Sequence, residues 1–170
     1  VFFWFLALSF VLVAAVFDSP ALDYRVVMLG SVLPVVELVA GGPWALHTLL
    51  APLVVLAVVM LATRGRRLAR RRWLGLPIGL FLYLVLDGAW LRTDLFWWPA
   101  FGARVGGGDL PEFKPLAALI ALELVGLAAG GWAVNRYGLA DRERFRLFCA
   151  RGRLDRTQMG ANRPRGPRRR

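Results

Sequence analysis

Apolar positions run along this chain in long unbroken stretches, separated by short segments of very unequal charge. Val1–Phe17, Leu46–Thr63, Trp73–Leu91 and Pro115–Val134 each approach or reach the roughly 20 residues that a helix needs to cross a hydrocarbon core about 30 Å thick. Apart from His47, Leu46–Thr63 holds no acidic or basic side chain, and Trp73–Leu91 holds only Asp87. A fifth stretch, Val26–Ala40, is apolar but only 15 residues long, is interrupted by Pro34 and contains Glu37. Segments of that length suit a re-entrant or buried helix more than a full span. The pattern predicts an all-α, polytopic membrane helix bundle over residues 1–135, with four full transmembrane helices plus one short re-entrant or fifth spanning helix. A basic cytoplasmic tail over residues 136–170 follows.

Charge orients the bundle, because Lys and Arg in short loops are retained on the cytoplasmic side. The nine residues between two of the spans hold six arginines, Arg64, Arg66, Arg67, Arg70, Arg71 and Arg72. From Arg136 onward twelve arginines stand against three acids. Both regions are expected in the cytoplasm of a bacterial inner-membrane protein. Arg92–Lys114 balances three bases with three acids and Asp18–Arg25 is slightly acidic, so both are expected outside. If Val26–Ala40 re-enters, the N-terminus lies inside and four helices cross; if it spans, the N-terminus lies outside and five cross.

Composition agrees with a membrane domain and excludes an ordinary soluble one: 58% of the 170 residues are hydrophobic, with a mean hydropathy of +0.54. The apolar N-terminal stretch lacks the basic start of a signal peptide, and Ala14-Ala15-Val16 is a poor cleavage site, so it is expected to be retained. The leading valine fits an alternative start codon or a trimmed chain. Cys149 is the sole cysteine, which rules out an intrachain disulfide or a cysteine-based zinc site. It is expected to be an inert cytoplasmic thiol.

Ionisable groups within apolar segments are costly and face a bundle interior or cavity. Asp87 lies four residues before the outer end of its span, and His47 lies in the first turn of a span that starts outside. Glu37 is tied to the His47 helix by the Gly41-Gly42-Pro43 turn. Tyr83, four residues before Asp87, shares its helix face. These placements predict a polar cluster of Glu37, His47, Asp87 and Tyr83 near the outer interface. Carboxylate and imidazole suit zinc, manganese or iron, and a metal with an open position would activate water. The same groups can equally hydrogen-bond one another and fix the helix packing.

The run Leu29-Gly30-Ser31-Val32-Leu33-Pro34, then His47-Thr48, then Leu82-Tyr83-Leu84-Val85-Leu86-Asp87, then Phe96-Trp97-Trp98-Pro99 resembles the YdjM-like family of bacterial inner-membrane proteins described as metal-dependent hydrolases. The resemblance covers residues 22 to 102. It implies a metal site in which an Asp follows the proline, a second Asp lies close behind, a His opens the next helix, and a His-x-x-x-Asp pair sits on a later one. Here the first Asp position is Val35, the second is matched by Glu37, and the helical His is Tyr83; His47 and Asp87 stand as the family has them. The resemblance thus implies a site reduced to Glu37, His47 and Asp87. Valine cannot ligate, and a phenol with reference pKa near 10 replaces imidazole poorly. The expected protein is a degenerate, non-catalytic relative without a cofactor. One divalent metal (zinc, manganese or iron) in a residual hydrolase of a lipid-linked or periplasmic ester is the alternative, and a small transporter is a second.

Other features refine the picture. Gly75-x-x-x-Gly79 and Gly126-x-x-x-Gly130 fit close helix packing. Glu123 sits mid-span, where it is expected to pair within the bundle. Trp44, Trp97 and Trp98 read as an outer aromatic belt. Gly106-Gly107-Gly108 lacks a following Lys-Ser or Lys-Thr step and is not a phosphate loop. Leu139–Leu154 interleaves five arginines with Phe145, Leu147 and Phe148, which predicts a basic amphipathic helix on the cytoplasmic leaflet. Five arginines, among them Arg168, Arg169 and Arg170, and two prolines fill the last eight residues, predicting disorder. Anionic headgroups at the cytoplasmic face are the expected partners of both arginine-rich regions, at about 1 kcal/mol per surface base. The final arginines lack stacking aromatics and a nucleic-acid-binding fold, which argues against nucleic acid. No residue constellation specifies a protein partner.

Overall fold

The computed structural model describes residues 1–17, 19, 22–39, 45–91, 96–100 and 115–154. Among these residues all regular secondary structure is helical and there is no strand, so the fold is all-α. The helices are α1 (Phe2–Phe17), α2 (Tyr24–Val39), α3 (Leu50–Ala62), α4 (Arg67–Trp73), α5 (Gly75–Asp87), α6 (Leu116–Arg136) and α7 (Arg142–Arg151). Short 3-10 turns at Ala45–His47 and Ala89–Leu91 precede α3 and follow α5. At 21 residues, α6 is long and apolar enough to cross a membrane; α1 and α3 are apolar but shorter, at 16 and 13 residues.

Side-chain contacts fix the helix directions. Gly75 abuts Asp23 and Val27, Gly79 abuts Val27 and Ser31, and Tyr83 reaches the His47 that pairs with Glu37. Hence α2 and α5 run parallel, side by side. Gly126 abuts Trp4, Gly130 faces Ala7, and Phe10 stacks edge-on against Tyr137, so α6 runs parallel to α1. Ser9 on α1 meets Ser31 on α2 while Phe10 meets Tyr24, which makes α1 and α2 antiparallel. Since α3 leads from His47 to the arginine turn, α1, α3 and α6 run one way and α2 and α5 the other.

One open alternative narrows and one expectation changes. Over residues 26–39 the chain does not turn back on itself: α2 is continuous through Pro34 and keeps pace with α5 from Asp23 to Glu37, about 21 Å at 1.5 Å per residue. Asp23 and Arg25, from the segment expected outside, do not lie opposite the arginine turn. Asp23 Oδ2 is 3.3 Å from Arg72 Nε, and Arg25 donates to the Cys149 carbonyl. The mild acidity of that segment misled because acids carry little weight in the charge rule, whereas Asp23 is the counter-ion of the arginines at that end.

Both glycine motifs are contact faces. A Cβ on Gly79 would run into the Val27 carbonyl oxygen and lie 2.8 Å from Ser31 N and 2.9 Å from Gly30 Cα. Only hydrogen at that position lets the two backbones meet, the device by which helices pack where apolar burial offers no driving force. One on Gly126 would strike the backbone of Phe3 and Trp4. Between α1 and α2 the contact is polar. Ser9 Oγ and Ser31 Oγ are 2.9 Å apart and fully buried, and Ser31 also donates to the Met28 carbonyl. Replacing Ser31 by alanine leaves the Ser9 hydroxyl its Leu6 carbonyl acceptor. The expected cost is therefore only about 1 kcal/mol, seen as a small drop in thermal midpoint.

Two apolar clusters form the interior. Phe10, Val13, Tyr24, Val27, Ala133, Phe148 and Leu154 gather at the arginine end; Phe5, Tyr83, Leu84, Ala89 and Phe96 gather at the other. Phe148 and Leu154 bring the first part of the tail into the core. Helix α7 begins at Asp141, whose carboxylate accepts from Glu143 N–H at 2.8 Å, and ends at Gly152 with φ +65°. The Gly152 carbonyl accepts from Tyr24 N–H at 2.8 Å. Phe148 thus points inward, whereas Phe145 and Leu147, grouped with it in the sequence reading, are exposed. The outward faces of α3 and α6 are apolar and exposed, with Leu53, Val58, Leu61, Leu116, Leu124 and Trp132 among the residues concerned.

Candidate functional site

At the end opposite the arginines, three elements deliver one polar group each. Glu37 comes from the last turn of α2, His47 closes the 3-10 turn before α3, and Tyr83 lies one turn before the end of α5. The Leu46 N–H donates to both Glu37 carboxylate oxygens, at 3.1 Å each, which sets the carboxylate against the turn carrying His47. His47 Nδ1 is 3.0 Å from Glu37 Oε2, and His47 Nε2 is 3.0 Å from the Tyr83 hydroxyl. Thr48 Oγ1 donates to the Ala45 carbonyl and fixes the turn itself.

The row is buried at its His47 and Tyr83 members, while Glu37 is part-exposed. His47 is 1% and Tyr83 0% exposed. Phe5 lies over the Tyr83 ring with centroids 4.4 Å apart, and the His47 and Tyr83 rings meet edge-on at 5.3 Å. Trp4 Nε1 donates to the Leu86 carbonyl at 3.4 Å, and Leu49 N–H to the Phe96 carbonyl at 2.9 Å. With neutral imidazole, Nδ1–H donates to Glu37 and Nε2 accepts from the phenol; with imidazolium, both nitrogens donate. In either state both ring nitrogens are engaged. A histidine that holds a metal gives one nitrogen to the ion and the other to an orienting acceptor, so Tyr83 would have to leave Nε2 before a metal could take its place.

The predicted cluster is therefore assembled in part. Glu37, His47 and Tyr83 come together as one hydrogen-bonded row. Asp87, the last residue of α5, is half-buried, and no hydrogen bond joins it to the row among the described residues. Nor, among those residues, do three His, Cys, Asp or Glu side chains gather closely enough to hold a metal. Val35 packs against the same apolar cluster as Tyr83. Sequence reasoning missed the Leu46 N–H that seats Glu37 and the serine pair beneath it, although the small residues Gly30 and Ser31 carry the signal for a close approach.

The arginines are distributed as follows. Arg64, Arg66, Arg67 and Arg71 are exposed, Arg70 donates to the Thr63 carbonyl, and Arg72 pairs with Asp23. Arg168, Arg169 and Arg170 lie outside the described residues, as do Trp44, the Gly41-Gly42-Pro43 turn and the triple glycine. Glu123 Oε1 accepts from the N–H groups of Phe2 and Phe3 at 3.2 and 3.3 Å, so its partner in the bundle is the first turn of α1. No family model matches the chain, and no curated protein or solved structure matches it.

Proposed function

We propose that this chain is a non-catalytic, multi-pass protein of a bacterial inner membrane in which Glu37, His47 and Tyr83 lock three helices together. Its arginine-rich end then faces the cytoplasm and the anionic headgroups there. The observation that carries this reading is the engagement of both nitrogens of the buried His47 by protein groups. Five helices, α1, α2, α3, α5 and α6, cross in alternating directions. The exposed apolar faces of α3 and α6 support that placement, since contiguous apolar surface of this kind marks a membrane or partner face. So does the concentration of Arg64–Arg72 and α7 at one end. The resemblance to the YdjM-like hydrolases fits descent with loss of the site: the Val35 and Tyr83 positions, where that family has Asp and His, both pack in the Phe5 cluster.

Elemental analysis of the purified, detergent-solubilised protein tests the loss of the metal site. Zinc, manganese and iron are expected far below one per chain and unchanged in His47→Ala and Asp87→Ala. Near-stoichiometric metal lost in both variants would return the hydrolase reading. Placement is tested with the native thiol. Cys149 is exposed on α7, so a membrane-impermeant maleimide is expected to label it in inside-out vesicles and not in intact cells, with the protein resisting carbonate extraction. Labelling from outside would overturn the orientation.

A further inference from the structure

We propose that the cleft between the start of α2, helix α4 and the end of α7 binds the phosphate group of one anionic lipid. The cleft has a volume of about 460 Å³, and its lining includes Arg25, Arg72, Arg151, Arg153, Asp23 and Trp73. Among the described lining residues four arginines stand with a single carboxylate, a surplus of three positive charges. Asp23 fixes two of the arginines: its oxygens lie 3.1 Å from Arg25 Nε, 3.0 Å from Arg25 NH2 and 3.3 Å from Arg72 Nε. Arg151 and Arg153 form no ion pair among the described residues. They flank Gly152, whose carbonyl holds the start of α2. Planar guanidinium groups converging on one cleft suit the oxygens of a phosphate better than a single-point cation would. Leu68 and Trp73, on the same wall, are 75% and 45% exposed. A soluble phosphate has no use for that apolar rim, whereas a lipid covers it with its glycerol and upper acyl chain, and tryptophan favours that depth.

The site exists only while the tail is docked, and Gly152 helps Phe148 and Leu154 to dock it. Its φ of +65° is strained for residues with a Cβ, and a Cβ there would collide with the Asp23 carboxylate and lie 2.6 Å from Arg25 Nε. This inference rests on the membrane reading above and makes it more specific, from a diffuse basic face to one built site.

Native mass spectrometry of the full chain in neutral detergent, titrated with phosphatidylglycerol or phosphatidylcholine, tests it. The expected result is one phosphatidylglycerol held in preference to phosphatidylcholine. Arg151→Gln/Arg153→Gln should weaken it about tenfold or more, given the strength of charge-assisted contacts. Gly152→Ala should weaken it similarly. Arg66→Gln/Arg67→Gln, at the same end but outside the cleft, should stay within about twofold, as for diffuse surface charge. Equal losses in both double variants would mean diffuse attraction and overturn the site. Displacement by inorganic phosphate at affinity equal to the lipid's would assign the cleft to a soluble phosphate and overturn the lipid occupant. Carbonate extraction separates the two levels: extracted protein sinks the membrane reading, while inserted protein without lipid selectivity sinks only this one.

Discussion

A Gly79→Ala variant is expected to lose the folded bundle. The added methyl group would meet backbone on every side, the Val27 carbonyl oxygen, Ser31 N and Gly30 Cα, and none of these can rotate away as a side-chain end would. Helices α2 and α5 must then separate, and separation removes the contact that seats Ser31 and Tyr83. Overpacking of this kind costs typically 1–3 kcal/mol and sometimes more; with backbone as the obstacle, about 3 kcal/mol or more is expected, a large part of a total stability of about 5–15 kcal/mol. Gly131→Ala is the control, because nothing lies within 4 Å of a Cβ there. Inside a helix that change should be neutral or stabilising by up to about 1 kcal/mol. Thermal unfolding and size-exclusion profiles in one detergent report both. A Gly79→Ala protein that elutes and melts like the parent would mean that α2 and α5 do not pack through Gly79.

His47→Ala carries the second large effect. Removing the imidazole leaves the Glu37 carboxylate with only the Leu46 N–H among the partners described above and strips the Tyr83 hydroxyl of its imidazole partner, with a cavity between them. Glu37 is 15% exposed, so the cost is that of polar groups left short of a partner plus the cavity, about 2–3 kcal/mol. Tyr83→Phe removes the phenol–imidazole hydrogen bond and keeps the ring against Phe5, so about 1–2 kcal/mol is expected. A double-mutant cycle of the two isolates their coupling, which should be positive and of order 1 kcal/mol for groups in one network. The sign of the His47→Ala effect separates lock from active site. Catalytic groups are commonly held at a cost to stability, and their removal often stabilises. A His47→Ala protein that melts at or above the parent would contradict the lock.

Much of the helical plan is legible in the sequence, because apolar length is a direct statement of what a segment can bury. The stretches Val1–Phe17 and Pro115–Val134 correspond closely to α1 and α6, and Trp73–Leu91 contains α5. Three of the four members of the polar cluster were also legible, since an ionisable group in an apolar run has few places to go. Asp87 shares the face of Tyr83 by helical spacing, but spacing says nothing about where the helix stops. It stops at Asp87, with Gly88 in the left-handed region at φ +74°, and the carboxylate is left at the rim. The side on which Asp23 lies was hidden for another reason: counting charges loop by loop cannot reveal that an acid in one loop pairs with an arginine in another. The docking of the tail was equally out of reach, because Gly152 is one glycine among 18 until its left-handed φ and the Asp23 beside it are known.

The pairing of α2 with α5 sets a timetable for synthesis. The two helices share the most extensive interface in the bundle, yet α3 and α4 are translated between them. Because chains emerge N-terminus first, α2 must wait through that interval with the Gly30 face open, held by α1 through Ser9, until Gly75 and Gly79 arrive. A chain halted after α3 would lack both Arg72 beside Asp23 and the glycine face that meets Gly30. The parallel glycine contact therefore makes α5 the helix on which α2 depends for its partner, before α6 closes on α1 through Gly126 and Phe148 joins the core.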